Sequence, residues 1–309
     1  MPMPAAIEIQ ELTKVYGAGN DEVIAVDGLD LSVDQGEVFG FLGPNGAGKT
    51  TTVQMLMQII FPTSGNGRLL GKPLGDISVR EKIGYLPESF RFHDFLRADE
   101  FLDFHACLYG IAAGERKRRV EEILELVGLR ETARSRIRTF SQGMLQRIGL
   151  GQAIINKPKL LFLDEPTSAL DPLGRRDVRD LILSLRDEGT TVFLNSHLLS
   201  EVEMTCSQIG ILNRGKLVRV GDIESLIKPT QCVDIRVEGL PDETLEKIRR
   251  LATNVEGNHG DMTVTLKDEE QVPLLARMIM DSGADLREFT PRSQQLEEVF
   301  VQSIEESGT

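Results

Sequence analysis

Cysteine is scarce in this chain, occurring three times in 309 residues, at Cys107, Cys206 and Cys232. The number is odd, the spacings are wide and no Cys-x-x-Cys is present, which fits reduced thiols rather than a disulfide framework. Long hydrophobic runs are missing too. No stretch approaches the ~20 apolar residues that cross a bilayer, and the opening Met1-Pro2-Met3-Pro4 has neither the charged nor the apolar region of a secretory signal. A soluble cytosolic chain is expected, any membrane association being made through a partner. Positive charge is also short: 35 Lys and Arg face 48 Asp and Glu, a net of −13. That balance argues against non-specific binding to nucleic acid or to an anionic bilayer.

The deficit is uneven. Seventeen of the acidic residues but only eight of the basic ones fall in the last eighty positions. The chain is long for one domain and comfortable for two. The shift in charge sets an expected boundary near Lys228-Pro229-Thr230, dividing 1–229 from 230–309.

What the sequence does contain begins with eight contiguous residues, Gly43-Pro44-Asn45-Gly46-Ala47-Gly48-Lys49-Thr50, which fill G-x-x-x-x-G-K-[ST] without a gap. Before them stands the apolar run Val38-Phe39-Gly40-Phe41-Leu42. After them Val53, Leu56, Met57 and Ile60 recur at the spacing of one helix face. Strand, glycine loop and helix are the context in which this motif cradles phosphate. Its glycines let backbone N–H groups curl around phosphate oxygens, and the helix N-terminus adds a favourable dipole. Lys49 is then expected to reach the β- and γ-phosphates, and the Thr50 hydroxyl to ligate Mg²⁺. The motif implies binding of a nucleoside triphosphate.

Ile7, Ile9 and Val15, and later Leu29-Asp30-Leu31-Ser32-Val33, alternate with polar residues as half-buried antiparallel strands do. Leu160-Leu161-Phe162-Leu163 and Val192-Phe193-Leu194 are continuous instead, as in parallel strands covered on both faces. Ligands of open α/β sheets gather at the carboxyl ends of such strands. There stand Asp164-Glu165 after one run and Asn195-Ser196-His197 after the other. Asp164 can hold Mg²⁺ through water, Glu165 can polarise a water for in-line attack, and His197 can contact the γ-phosphate or position the glutamate.

Further motifs carry a resemblance. Phe140-Ser141-Gln142-Gly143-Met144, shortly before Leu160–Pro166, resembles the signature motif of ABC-family ATPases. Ser168-Ala169-Leu170-Asp171 resembles that family's D-loop, Ile83-Gly84-Tyr85-Leu86-Pro87-Glu88 its Q-loop and His197 its switch histidine. Tyr16 matches the aromatic residue that stacks on adenine. Order and spacing agree from about residue 7 to 228. Two motifs depart from the usual pattern: Phe140, Gln142 and Met144 replace three residues of L-S-G-G-Q, and Glu88 stands where glutamine is typical. Both forms resemble the drug- and sodium-exporter branch.

The resemblance implies an α/β P-loop NTPase of the ABC-ATPase fold, with a mixed-sheet core, an antiparallel β subdomain and a helical subdomain at about 89–145. It implies ATP and Mg²⁺ as cofactors. Tyr16, the Gly43–Thr50 loop and Thr51 would take the ATP of the same chain. Ser141 and Gly143 would serve the ATP of a second copy or paired subunit in a head-to-tail dimer, and Gln142 and Asp171 would also bind nucleotide. Thr50, Glu88 and Asp164 would hold the metal, with Glu165 and His197 catalytic. A membrane permease would receive the work at the inner face of the cell membrane, so the expected function is that of an exporter's ATPase. The alternative, a soluble ABC ATPase of translation or DNA repair, fits poorly with one motor, an insertion of ordinary size and an acidic balance. A GTPase is hinted at by Asp171-Pro172-Leu173-Gly174 and Asn156-Lys157, but Lys159 stands where guanine needs an acceptor.

In the helical segment, Phe95, Phe101, Leu102, Phe104 and Leu108 form one apolar set, and Val120, Ile123, Leu124, Val127 and Leu129 another. For most of these a core role is expected, and Arg116-Lys117-Arg118-Arg119 reads as a solvated helix face. In the acidic C-terminal part, Val233–Val237 and Met262–Leu266 alternate as strands, while Val272, Leu275, Ala276 and Ile279 share a helix face, as do Leu296, Val299, Phe300 and Ile304. The order strand, helix, strand, strand, helix, strand, helix predicts a small α+β, ferredoxin-like domain of accessory or regulatory role. His259, within Gly257-Asn258-His259-Gly260, reads as a turn residue.

Overall fold

A computed structural model describes residues 5–89, 92–227, 229–258, 260–293 and 295–307. Met1–Pro4, Lys228 and His259, on which the leader, boundary and turn readings fell, lie outside the described residues. The chain divides into two units, residues 1–223 with 302–309, and residues 224–301.

The first unit opens with β1 (Ala5–Tyr16) and β2 (Val23–Asp34), paired antiparallel with Ile9 opposite Leu31. Their alternating residues place Ile7, Ile9, Leu12, Leu29, Leu31 and Val33 in the core. After β3 (Val38–Leu42), buried throughout, comes α1 (Lys49–Leu56). This helix stops a turn before the apolar spacing does. Met57 caps it, and Gln58 turns to φ 54° with its side-chain amide on the Met55 carbonyl, so Ile60 reaches the same core from a loop. A helix end set by one left-handed residue leaves no mark in hydrophobic periodicity.

β4 (Ser64–Leu69) and β5 (Lys72–Pro73) complete an antiparallel sheet in the order β2-β1-β4-β5. Then follow α2 (Ile77–Arg80), β6 (Ile83–Leu86), α3 (Ala98–Leu108), α4 (Ala113–Leu126), α5 (Gln142–Ile154), β7 (Leu160–Asp164), α6 (Pro172–Asp187), β8 (Thr191–Asn195), α7 (Leu199–Thr205), β9 (Gln208–Asn213) and β10 (Lys216–Asp222), and then α8 (Ile223–Leu226), which has one residue in this unit and three in the next. The main sheet runs β10-β9-β3-β8-β7-β6, parallel except for β10 at its edge. Every residue of β3, β7 and β8 is buried, which is why those strands read as unbroken apolar runs. Phe39, Phe41 and Phe162 meet on Phe193 with ring centroids 5.2–5.6 Å apart.

Two expectations about the helical segment change. Val120, Ile123, Leu124, Val127 and Leu129 are core, but of the aromatic set only Phe101 and Leu102 are; Phe95, Phe104 and Leu108 are 63, 42 and 67% exposed. Spacing puts residues on one face of a helix but cannot say how far a neighbour covers it. Within the basic run, Lys117 and Arg118 are exposed, Arg116 pairs with Asp103 at 2.9 Å, and Arg119 is buried. The Arg119 guanidinium donates to the Ile154 and Ile155 carbonyls at 2.5 and 2.9 Å and to Glu122 at 2.7 Å. It thereby caps the last turn of α5, where free carbonyls need donors and a cation suits the helix dipole.

The second unit holds β11 (Pro229–Glu238), α9 (Asp242–Leu251), β12 (Ala252–Gly257), β13 (Asp261–Leu266), α10 (Val272–Asp281) and β14 (Asp285–Ser293). Its sheet runs β12-β13-β11-β14, all antiparallel, the ferredoxin-like arrangement expected. Val233, Ile235 and Val237 face Leu245, Ile248, Leu275 and Ile279 in its core. The final helix, α11 (Leu296–Glu306), ends with residues that belong to the first unit. No helix among the described residues is long and apolar enough to cross a membrane.

Candidate functional site

The loop between β3 and α1 lies beside the carboxyl ends of β7 and β8. Asn45 to Thr51, Glu88, Asp164, Glu165 and Asn195 line a cavity of about 340 Å³ there. Gly48 caps α1 with φ +107°, and a Cβ on it would lie 2.3 Å from the Ala25 carbonyl oxygen, so only glycine fits the turn into the helix. Lys49 is 8% exposed, and its ammonium donates to the Gly43 and Pro44 carbonyls at 2.6 and 3.2 Å, which holds the charge inside the loop. Burial lowers its pKa, while Glu165, Asp164 and Glu88 pull it back up.

β7 and β8 pair with Asp164 opposite Asn195. That register puts the Asn195 amide on one oxygen of the Asp164 carboxylate, while the Thr50 hydroxyl lies 3.4 Å from the other. Burial pushes the Asp164 pKa up to about 6, with the charges of Glu88 and Glu165 adding to the rise and the two hydrogen bonds opposing it. Tyr85, on β6, is pushed up to about 12, by burial and then by Asp164 and Glu88.

Glu165 adopts φ 54°, unusual for a residue with a Cβ. Four bonds fix its backbone: its N–H donates to Asn195 O at 2.8 Å, and its carbonyl accepts from Gln146 Nε2 and Ser168 Oγ, each at 3.1 Å, and from the Ser168 N–H at 3.4 Å. Its carboxylate, 11% exposed, meets His197 Nδ1 at 2.7 Å; the His197 side chain is 55% exposed. The pair has the geometry of a base and its orienting partner.

Other sequence-predicted residues stand apart from this cavity. Tyr16 ends β1, 41% exposed, with the Lys14 ammonium 5.1 Å from its ring centroid. Ser141 caps α5, its hydroxyl accepting from Met144 N at 3.3 Å, and Ser141 and Gln142 are exposed. Gly143 adjoins the Ala169-Leu170 segment, and Asp171 caps α6 by accepting from Gly174 N at 2.8 Å. The two guanine-like matches are occupied with structural tasks: Asp171 with that cap, and Asn156 with the Glu81 and Ile83 carbonyls at 2.9 and 3.1 Å.

Asn195 and Gln146 were not among the sequence candidates. Asn195 carried a signal in its position at a strand end two residues before His197; Gln146, in the second turn of α5, carried none. A divalent ion fits the donor set, since the Thr50 hydroxyl and the Asp164 carboxylate are hard oxygen ligands. Among the described residues no group of three or more His, Cys, Asp or Glu could hold a metal by itself. Such an ion would therefore complete its shell with phosphate and water, as Mg²⁺ does.

Residues 26–168 match the ABC transporter family. An uncharacterized ABC transporter ATP-binding protein of Synechocystis is 41% identical over 308 residues, covering 98% of this chain and 85% of that protein. The bacitracin transport ATP-binding protein BcrA of Bacillus licheniformis is 34% identical over 307 residues, 98% of each chain. Among solved structures, a dimeric bacterial ABC transporter cassette superposes with a TM-score of 0.66 at 25% identity, over 71% of this chain and 99% of that one.

Proposed function

The chain belongs to the ATP-binding proteins of ABC transporters, and on that premise we propose that it powers export through a separate membrane permease by pairing head to tail with a second ATPase subunit. Its activity is ATP hydrolysis. The observation that carries the proposal is the convergence of Lys49, Thr50, Asp164 and Glu165 on one cavity, with His197 bonded to the Glu165 carboxylate.

Backbone N–H groups of the loop and the Lys49 ammonium bind the β- and γ-phosphates. Mg²⁺, taken up by Thr50 and Asp164 with Glu88 close by, would neutralise charge on the phosphate oxygens. Glu165 accepts a proton from the attacking water as its oxygen bonds to the γ-phosphorus and the bond to the β-phosphate oxygen breaks, giving ADP and inorganic phosphate. With His197 Nδ1–H donating to the Glu165 carboxylate, the imidazole holds that carboxylate in place. The stacking of adenine falls to Tyr16.

Ser141, Gln142, Gly143 and Asp171 lie away from their own chain's cavity, which suits a role toward the nucleotide of a second copy. A groove of about 570 Å³ lined by Leu74, Tyr85, Leu108 and Tyr109 suits a short helix of the permease. Export is the direction favoured by the likeness to a bacitracin transport protein. The chain would then work in the cytoplasm, at the inner membrane face.

The test is an affinity capture of tagged Glu165→Gln protein with ATP from detergent-solubilised cells. A polytopic membrane protein encoded to pair with this subunit is the expected catch. Ribosomes or nucleic acid in its place would refute the transporter reading.

A further inference from the structure

The strand pair beside the phosphate loop ends in a tight turn. β9 finishes at Asn213, β10 starts at Lys216, and those two residues pair across the hairpin. Arg214 and Gly215 between them have φ 47° and 82°, the two left-handed residues that a type I′ turn requires. A Cβ on Gly215 would sit 3.0 Å from the Ala25 carbonyl oxygen, so the turn is pressed against β2. It is also tied there: Asp27 N donates to Gly215 O at 2.9 Å, and Lys216 pairs with Asp27 at 3.2 Å.

The same turn grips the phosphate loop. Gly215 N–H donates to the Ala47 carbonyl at 2.9 Å. That carbonyl shares a trans peptide plane with the N–H of Gly48, and in such a plane the two groups point in opposite directions. Holding the Ala47 oxygen toward Gly215 therefore fixes where the Gly48 N–H points. Gly48 lines the phosphate cavity.

What holds the turn on its other side comes from the far end of the chain. Asn213 is 7% exposed, and its amide donates to Ser307 Oγ at 2.7 Å and to the Ile304 carbonyl at 3.4 Å. Ser307 Oγ in turn donates to that Ile304 carbonyl at 3.0 Å, closing a three-membered network. These partners are 91 and 94 residues from Asn213 and belong to the same unit as the phosphate loop. They add no strand to the sheet and are not part of the core around the loop.

We propose that Ile304 and Ser307 are positioning residues for nucleotide binding, bracing the Ala47–Gly48 peptide through Asn213 and the Asn213–Lys216 turn. The brace acts on phosphate and not on the base, so it sets affinity for the triphosphate as a whole. It rests on the reading that the Gly43–Thr50 loop binds ATP.

The test uses the full chain and three variants: Ser307→Ala, Ser307→Thr, and a chain stopped after Val301. Affinity for ATP and for inorganic tripolyphosphate is measured calorimetrically with Mg²⁺, and exchange of the Gly215 and Gly48 amides by NMR without nucleotide. Ser307→Ala and the shortened chain are expected to bind both ligands about three- to tenfold more weakly, the scale of one or two hydrogen bonds. Their Gly215 amides should exchange faster, and Ser307→Thr should recover most of the affinity. Equal affinity and equal Gly215 exchange in Ser307→Ala and the full chain would overturn the brace. If the shortened chain does not fold, Ser307→Ala decides. A full chain that fails to bind ATP would instead refute the nucleotide reading, and the Gly215 exchange in Ser307→Ala would still settle whether the brace exists.

Discussion

Glu165→Gln removes one negative charge and the proposed proton acceptor while leaving the shape of the site. The Glu165 backbone is held through its own N–H and carbonyl, by Asn195, Gln146 and Ser168, and none of these bonds uses the carboxylate. A glutamine oxygen can still accept from His197 Nδ1–H, so the 2.7 Å contact persists in neutral form. What disappears is a positioned base, which is worth about 10²–10⁴-fold, or about 2.7–5.4 kcal/mol of activation free energy. Affinity for ATP should hold or tighten, because one of the three carboxylates facing the phosphates (Glu88, Asp164, Glu165) becomes neutral. Single-turnover hydrolysis separates chemistry from product release, with equilibrium binding measured alongside. His197→Ala completes a double-mutant cycle. If the imidazole works only by orienting the carboxylate, the double variant will be no slower than Glu165→Gln alone. Hydrolysis by Glu165→Gln within about fivefold of the natural chain would refute the assignment of the base.

Arg119→Met strips the last carbonyls of α5 of their donor and should destabilise the first unit by about 2–4 kcal/mol, read as a lower urea midpoint at unchanged slope. A change below about 0.5 kcal/mol would mean that water replaces the guanidinium. Burial among Phe101 and Phe104, with the charge of His93 adding, pushes His105 down to about 4. Between about pH 6.5 and 4 the unfolded chain therefore binds the proton more readily, so stability is full above 6.5 and falls as pH drops through that window. Allowing for partial solvent access, the loss should be about 1–2 kcal/mol, and His105→Gln should flatten that part of the stability curve. Gly48→Ala should weaken ATP binding by about 5- to 100-fold while the fold melts normally, since its Cβ meets the Ala25 carbonyl at a strained φ. Unchanged affinity would show that the loop can shift at little cost.

The sequence carried what is local. The phosphate loop is eight contiguous residues, and the buried parallel strands announced themselves because two covered faces demand unbroken apolar runs at Leu160–Leu163 and Val192–Leu194. Their ends then named Asp164, Glu165 and His197. The second unit was legible in topology as well, since Val233–Val237 and Met262–Leu266 alternate cleanly. The rest depended on contacts between distant segments. The Asp164–Asn195 pair follows from strand register, and the Gln146 bond to Glu165 from the passage of α5 beside the end of β7. The burial of Arg119 depends on where α5 ends, and the exposure of Phe104 and Leu108 on where other helices stop. No local pattern linked Asn213 to Ser307.

α5 is one rigid rod with two differently employed residues near its start. Ser141 caps its exposed end, and Gln146, five positions on and about 7.5 Å along the axis, holds the Glu165 carbonyl. A helix that short between the two points does not bend to absorb a push. Whatever docks on Ser141 and tilts the rod must also move the backbone of Glu165, strained at φ 54°. Were a second subunit to dock there, as proposed above, its arrival and the position of the Glu165 backbone would be coupled through this one helix.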